Sequence, residues 1–162
     1  MGGKRVAFAL MVLIATGAWA ATDRPVVEIH PVVDCNSNPL SAPFALSVPY
    51  PASGCIGRDV IIGGGDVIQA RHTKVRFNGK DADALILTLS VTGRQRLFQF
   101  TLNHVRDGIA IVIDGRTIEA PIIREPFVSS TVQIVGELSG AEIDALVERF
   151  QAQQSNFRVV PI

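Results

Sequence analysis

The stretch Ile109–Ile122, "IAIVIDGRTIEAPI", constrains the fold more than any other. Two β-branched runs flank Asp114-Gly115. A two-residue type I′ turn needs positive φ at both central positions, and Asp-Gly meets that need at little steric cost. Strands joined by so short a turn can only be antiparallel neighbours. The chain is therefore committed to an antiparallel sheet with Ile109–Ile113 beside Thr117–Ile122.

Other elements follow from periodicity. Val26–Ile29 alternates weakly and reads as a strand ending near Pro31. Asp59–Ile62 suits a buried strand or the entry to one. Gly63-Gly64-Gly65 breaks it, and Asp66 is expected to cap a short helical turn through Val67, Ile68 and Ala70. Thr73–Phe77 alternates and reads as a strand turned by Asn78-Gly79. Leu85–Val91 places Leu85, Leu87, Leu89 and Val91 on one face, which predicts a strand with one dry side. Thr92 offers an N-cap hydroxyl for a helix over residues 93–104, where Leu97, Phe100, Thr101 and His104 share helical spacing. Val132–Val135 is a further strand. Ser139 and Glu142 form a capping box for a last helix with Ile143, Leu146, Val147 and Phe150 as its apolar stripe. Gln151–Asn156 is expected to fray, and Phe157–Pro161 to form a closing strand or tail. Strand, helix, hairpin, strand, helix is an α+β pattern: an antiparallel β-sheet with two helices packed on one face.

The ends and the composition place the chain in a compartment. Lys4 and Arg5 precede an apolar run from Val6 to about Ala15, and Ala18-Trp19-Ala20 is a small-x-small cleavage pattern. The run is shorter than the ~20 residues a membrane span needs. Residues 1–20 are expected to be a signal peptide cleaved near Ala20, leaving a periplasmic or secreted product with no membrane span. The chain holds 15 basic and 15 acidic side chains, so without Lys4 and Arg5 there remain 13 basic against 15 acidic. No basic stripe exists, and a nucleic-acid partner has no electrostatic footprint. Cys35 and Cys55 are the only cysteines. An even count in an exported chain points to a disulfide, here stapling a Pro-rich loop that cannot form a helix. The expected organisation is residues 1–20 signal peptide, 21–56 Pro-rich N-terminal segment with the Cys35–Cys55 bridge and an extended piece at Ala45–Val48, and 57–162 the α+β domain.

Catalytic motifs are missing. His30, His72 and His104 sit on separate elements, and no nucleophile-elbow sequence is present. Gly63-Gly64-Gly65-Asp66 lacks the Lys-Ser/Thr of a phosphate loop and reads as a turn. No His/Cys spacing suits zinc, and neither a metal nor a cofactor is expected. Asp114 and Glu119 lie near each other across the hairpin. They would do acid/base work only if a concave pocket raised a pKa. Arg116, Glu119, Arg124 and Glu125 read most simply as a solvated charged face.

With those residues in view, Phe100–Phe150 resembles the head subdomain of the first periplasmic region of SecD, of the SecD/SecF preprotein translocase family. The resemblance rests on Thr101, on "GIAIVIDGRTIEAPIIREP" and on "VQIVGELSGAEIDALVERF", with a weaker match at "GGGDVIQARHTKV". Ser129-Ser130 stand where that family often has a Gly pair. The resemblance implies the head fold, no catalytic residues in this region, and contact with an unfolded or translocating polypeptide or an envelope partner. Candidate contacts are Pro121, Ile123, Arg124, Pro126 and Phe127. Pro121 and Pro126 could instead protect a strand edge, and Phe127 could instead be core. The leading expectation is a non-enzymatic exported binding module. The alternative is a small exported enzyme or inhibitor using the charged 114–125 hairpin. A third reading, a PDZ-like peptide binder, rests on "GDVIQA" alone.

Overall fold

The computed structural model describes residues 27–37 and 54–156. The expected signal peptide, the extended piece at Ala45–Val48 and the closing strand at Phe157–Pro161 lie outside the described residues.

Among the described residues, seven strands and two helices follow in the order β1 (Val27–Val33), β2 (Cys55–Ile56), β3 (Val67–Phe77), β4 (Lys80–Leu89), α1 (Val91–Asn103), β5 (Ile109–Ile113), β6 (Arg116–Glu119), β7 (Thr131–Val135) and α2 (Gly140–Asn156). The class is α+β with antiparallel pairing, as the pattern predicts. The strands nevertheless divide between two sheets, ordered β2-β1-β5-β6 and β3-β4-β7. β1 pairs with β5, Ile29 opposite Ile111, so residues of the 21–56 segment share a sheet with the hairpin. The Cys35–Cys55 disulfide is formed, with Cα atoms 5.0 Å apart, beside the β1–β2 pairing of Val33 with Cys55.

Both hairpins close as the turn chemistry requires. Asn78 and Gly79 have φ of 50° and 76°, and Asp114 and Gly115 have 50° and 78°. One core unites both sheets and both helices: Ile29, Ile111 and Ile118 from the first sheet, Leu85, Leu87 and Ile134 from the second, Leu97 from α1, and Ile143, Leu146 and Phe150 from α2. Each fully buried aliphatic side chain there contributes roughly 1.5–3 kcal/mol. Ala84, Ile86 and Val135 form a smaller cluster on the other face of β4, with Val75 and Ala82 packed against it. β4 is thus dry on both faces along its second half.

Local expectations shift at several places. Val91, expected on the one dry face of its strand, instead starts α1 exposed, and Ile86 on the other face is buried as well. The helical turn at Asp66–Ala70 is absent, because β3 already begins at Val67 after a 3-10 turn at Gly64–Asp66. A register shift between Val67 and Gln69 inserts an extra residue. It leaves Val67 and Ala70 both facing the core, three apart, which on paper mimics helical spacing. The cap of α1 is Ser90 and not Thr92. The ladder of β4 ends at Leu89, and the Ser90 hydroxyl accepts from the Gly93 N–H at 3.0 Å. Pro31 does not end β1, which runs on to Val33, with the Pro31 carbonyl accepting from the Gly57 N–H at 2.8 Å. The capping box of α2 forms as read. The Ser139 N–H and hydroxyl and the Arg116 guanidinium all bond the Glu142 carboxylate, which holds its pKa down at about 2.

Candidate functional site

The two sheets do not join. Between the end of β6 and the end of β7 lies a groove of about 690 Å³, closed on a third side by the β3–β4 hairpin. Phe77 and Ala82 come from that hairpin, Glu119 from β6, Pro121, Ile122 and Arg124 from the segment after it, and Val135 and Leu138 from β7 and the turn that follows. Phe77 and Ile122 are large apolar side chains left 49% and 44% exposed.

Backbone geometry explains why this wall is open. After β6 the chain stays paired to the segment before β5: the Ile109 N–H donates to the Pro121 carbonyl at 3.0 Å, and the Ile123 N–H to the Asp107 carbonyl at 2.8 Å. In an antiparallel ladder a residue's N–H and C=O point to the same side, and neighbours alternate. The N–H and C=O of Ile122 therefore point away from that pairing. The N–H that Pro121 lacks would have lain on the paired side, so this proline does not blunt the outer edge.

Glu119 is the chemically unusual group of the groove. Burial pushes its carboxyl up to about 7, partly opposed by a hydrogen bond from the Val135 N–H of the facing strand. The solvated charged face expected for it is therefore not found. Asp114, its expected companion, is exposed at the hairpin tip, and Arg149 of α2 holds it in two contacts of 2.7 and 3.3 Å. Opposite Glu119, Asp83 of β4 accepts from Lys74 at 3.0 Å and lies 2.8 Å from His72 Nε2. Those two bonds lower its pKa. His72 also meets Asp144 of α2 at 2.7 Å, and the two carboxylates raise the imidazole pKa, Asp144 first. Gly140 starts α2 where an added Cβ would meet the Asp83 carboxylate at 3.1 Å. This network fixes α2 against the hairpin wall of the groove.

Of the candidate contacts, Pro121 and Arg124 line the groove. Ile123 does not, being 6% exposed. Phe127 packs on the main core, and its N–H donates at 2.8 Å to Thr101 Oγ1. That hydroxyl in turn donates to the Leu97 carbonyl at 2.8 Å. A buried Thr in the last turn of α1 thereby pins the segment that leads to β7. Pro126 is half-buried and outside the groove lining. Ile122, Phe77 and Asp83 were missed as groove residues, whereas Glu119 was named only under the enzyme alternative, as a carboxylate in a concave pocket with a raised pKa. The alternation Ile118-in, Glu119-out was visible, but the wall facing Glu119 comes from β7 and the β3–β4 hairpin, which no local pattern connects to it.

The other motif candidates resolve structurally. The Asp66 carboxylate accepts from the Gly63 N–H at 3.0 Å and pairs with Arg96, so the glycine loop already holds an anion of its own. His104 stacks on Phe100 at 4.1 Å and bonds Asp107, and His30 is buried between Glu28 and the Gly57 carbonyl. Among the described residues no group of three or more His, Cys, Asp or Glu is placed to hold a metal ion. No helix among them is long and apolar enough to cross a membrane.

Comparison with known proteins agrees with the fold. The model of the family described as SecDF, P1 head subdomain, matches residues 49–152. The protein translocase subunit SecD of Rhodobacter capsulatus is 29% identical over 120 residues, covering 70% of this chain and 21% of that protein. The chain thus spans about a fifth of that curated relative. Two solved structures share the fold. A SecDF membrane component that enhances protein export is 20% identical with a TM-score of 0.57, over 80% of this chain and 63% of the other. SecDF in a Super-membrane-facing form is 21% identical with a TM-score of 0.59, over 80% of this chain and 19% of the other.

Proposed function

Because the chain belongs to the SecDF P1 head subdomain family, we propose that it is a non-enzymatic, exported binding module that holds extended polypeptide in the groove between β6 and β7. Residues 1–20 would direct it to the periplasm, and the head domain would act there. The observation that carries this reading is the outward-facing backbone of Ile122 beside two exposed apolar side chains, Phe77 and Ile122. Strand addition uses such an arrangement: backbone bonds supply affinity, and side-chain pockets supply selectivity. Pro121 and Arg124 act here as groove lining. Ile123 and Phe127 turn inward and are not part of it.

The alternative of an enzyme has one observation in its favour, the raised pKa of Glu119 within a concave site. The groove lining contains no Ser, Thr, Cys, His or Lys, and its other acid, Asp83, is held by Lys74 and His72. Binding is the reading the geometry supports better. Photo-crosslinking in intact bacterial envelope tests it. A crosslinker at Ile122 should give polypeptide adducts well above one at Val91, which is 66% exposed on α1 and outside the groove. Equal yields at both positions would refute the assignment.

A further inference from the structure

We infer that the groove selects an extended segment carrying a basic side chain among apolar ones, and that Glu119 is the residue that selects the base. This rests on the reading of the groove as a polypeptide site and adds the chemistry of what enters it. The backbone part comes from two facing edges. Ile122 turns its N–H and C=O outward, and on the other wall the Val135 N–H points at the Glu119 carboxylate and not into the β4 ladder. A slot between two strand edges fits a third extended backbone better than a compact ligand. Phe77 and Ile122 then offer apolar contacts at its rim.

The charge of the groove narrows the sequence of that segment. Two acids face the slot, Asp83 from β4 and Glu119 from β6, together with one cation, Arg124, from the segment after β6. Asp83 is already engaged by Lys74 and His72. Glu119 has the Val135 N–H and, among the described residues, no cation. A half-buried carboxylate without a counter-ion is unfavourable, and a partner that brings the missing cation removes that cost. An acidic segment would add like charge to both carboxylates and is disfavoured. The sign of the pH dependence follows. A Lys or Arg on Glu119 draws its pKa below the value in the empty groove, so binding releases a proton and tightens as pH rises through about 7. A purely apolar segment would bury Glu119 further and do the opposite.

The test uses labelled extended heptapeptides of alternating Val and Thr with a central Lys, and twins with a central Gln, measured by fluorescence anisotropy at pH 6 and pH 8. On the unaltered protein the Lys peptide should bind about tenfold tighter than its Gln twin at pH 8, the size of one close charge pair. That advantage should shrink severalfold at pH 6, and Glu119→Gln should not distinguish the twins. Equal binding of the twins at pH 8, a Lys advantage that survives in Glu119→Gln, or one that grows as pH falls would each overturn the inference. Binding of the Gln twin without a Lys preference sinks only this step. Failure of both peptides to bind sinks the polypeptide reading as well. The pH arm needs no variant and stays decisive if Glu119→Gln does not fold.

Discussion

Replacing Glu119 by Gln should stabilise the empty protein above neutral pH and flatten its pH dependence. In the folded state burial lifts this carboxyl from its ordinary 4.5 to about 7. The unfolded chain releases the same proton near 4.5. Between those values the folded protein binds more protons than the unfolded one, so stability falls as pH rises, and the full cost is present above 7. At about 1.4 kcal/mol per pH unit, the displacement sets an upper bound of about 3 kcal/mol. Glu119 is only half-buried, and solvent screening reduces the expectation to about 1–2 kcal/mol. Gln keeps the shape and a carbonyl to accept from Val135, so the substitution isolates the charge. Urea unfolding of both proteins at pH 5 and pH 8 measures it. The variant should exceed wild type by under about 1 kcal/mol at pH 5, just above the unfolded value, and by about 1–2 kcal/mol at pH 8. His72 titrates in both proteins, so its contribution cancels in the difference. A difference between the two proteins that is the same at both pH values would mean that the groove does not desolvate Glu119, and the reasoning would fail.

Other perturbations test the frame that holds the groove. Gly93→Ala, ordinarily favourable inside a helix, should destabilise by about 1–3 kcal/mol in thermal or urea unfolding. The new Cβ would sit 2.8 Å from the Asp66 Cβ, which the Gly63 and Arg96 contacts hold in place. Cys35→Ser with Cys55→Ser should cost about 3 kcal/mol, because the bridge closes a loop with a sequence separation of 20; an unchanged urea midpoint would show that the β1–β2 end needs no staple. Asp144→Asn should lower the His72 pKa in an NMR titration, since Asp144 is its largest raising contact. The stabilisation that His72 gains from its carboxylates is fully present below 6.5 and is lost as pH rises through its raised folded value.

What could be read along the chain was local. The Asp114-Gly115 turn, the Ser139–Glu142 box, the Ile143–Phe150 stripe and the Leu85–Leu89 alternation each depend on residues within a few positions of one another, and each stands in the structure. The slips at Asp66–Ala70 and at Ser90 occurred where two local readings compete. There the ladder partner arbitrates: a bulge against β4 in one case, the end of β4 pairing in the other.

The amino-acid order by itself determined the class, the two glycine turns, the α2 capping box, the Leu85–Leu89 face of β4 and the family likeness, because rotamer, turn and burial preferences act over one or two turns of chain. Tertiary structure alone decided that the strands form two sheets and not one, and that β1 crosses to pair with β5. It also sent Ile123 and Phe127 inward while Ile122 stayed out, and it enclosed Glu119 between β6 and β7. Desolvation and edge pairing depend on which distant segments come to face each other, and that is settled only when the whole core packs.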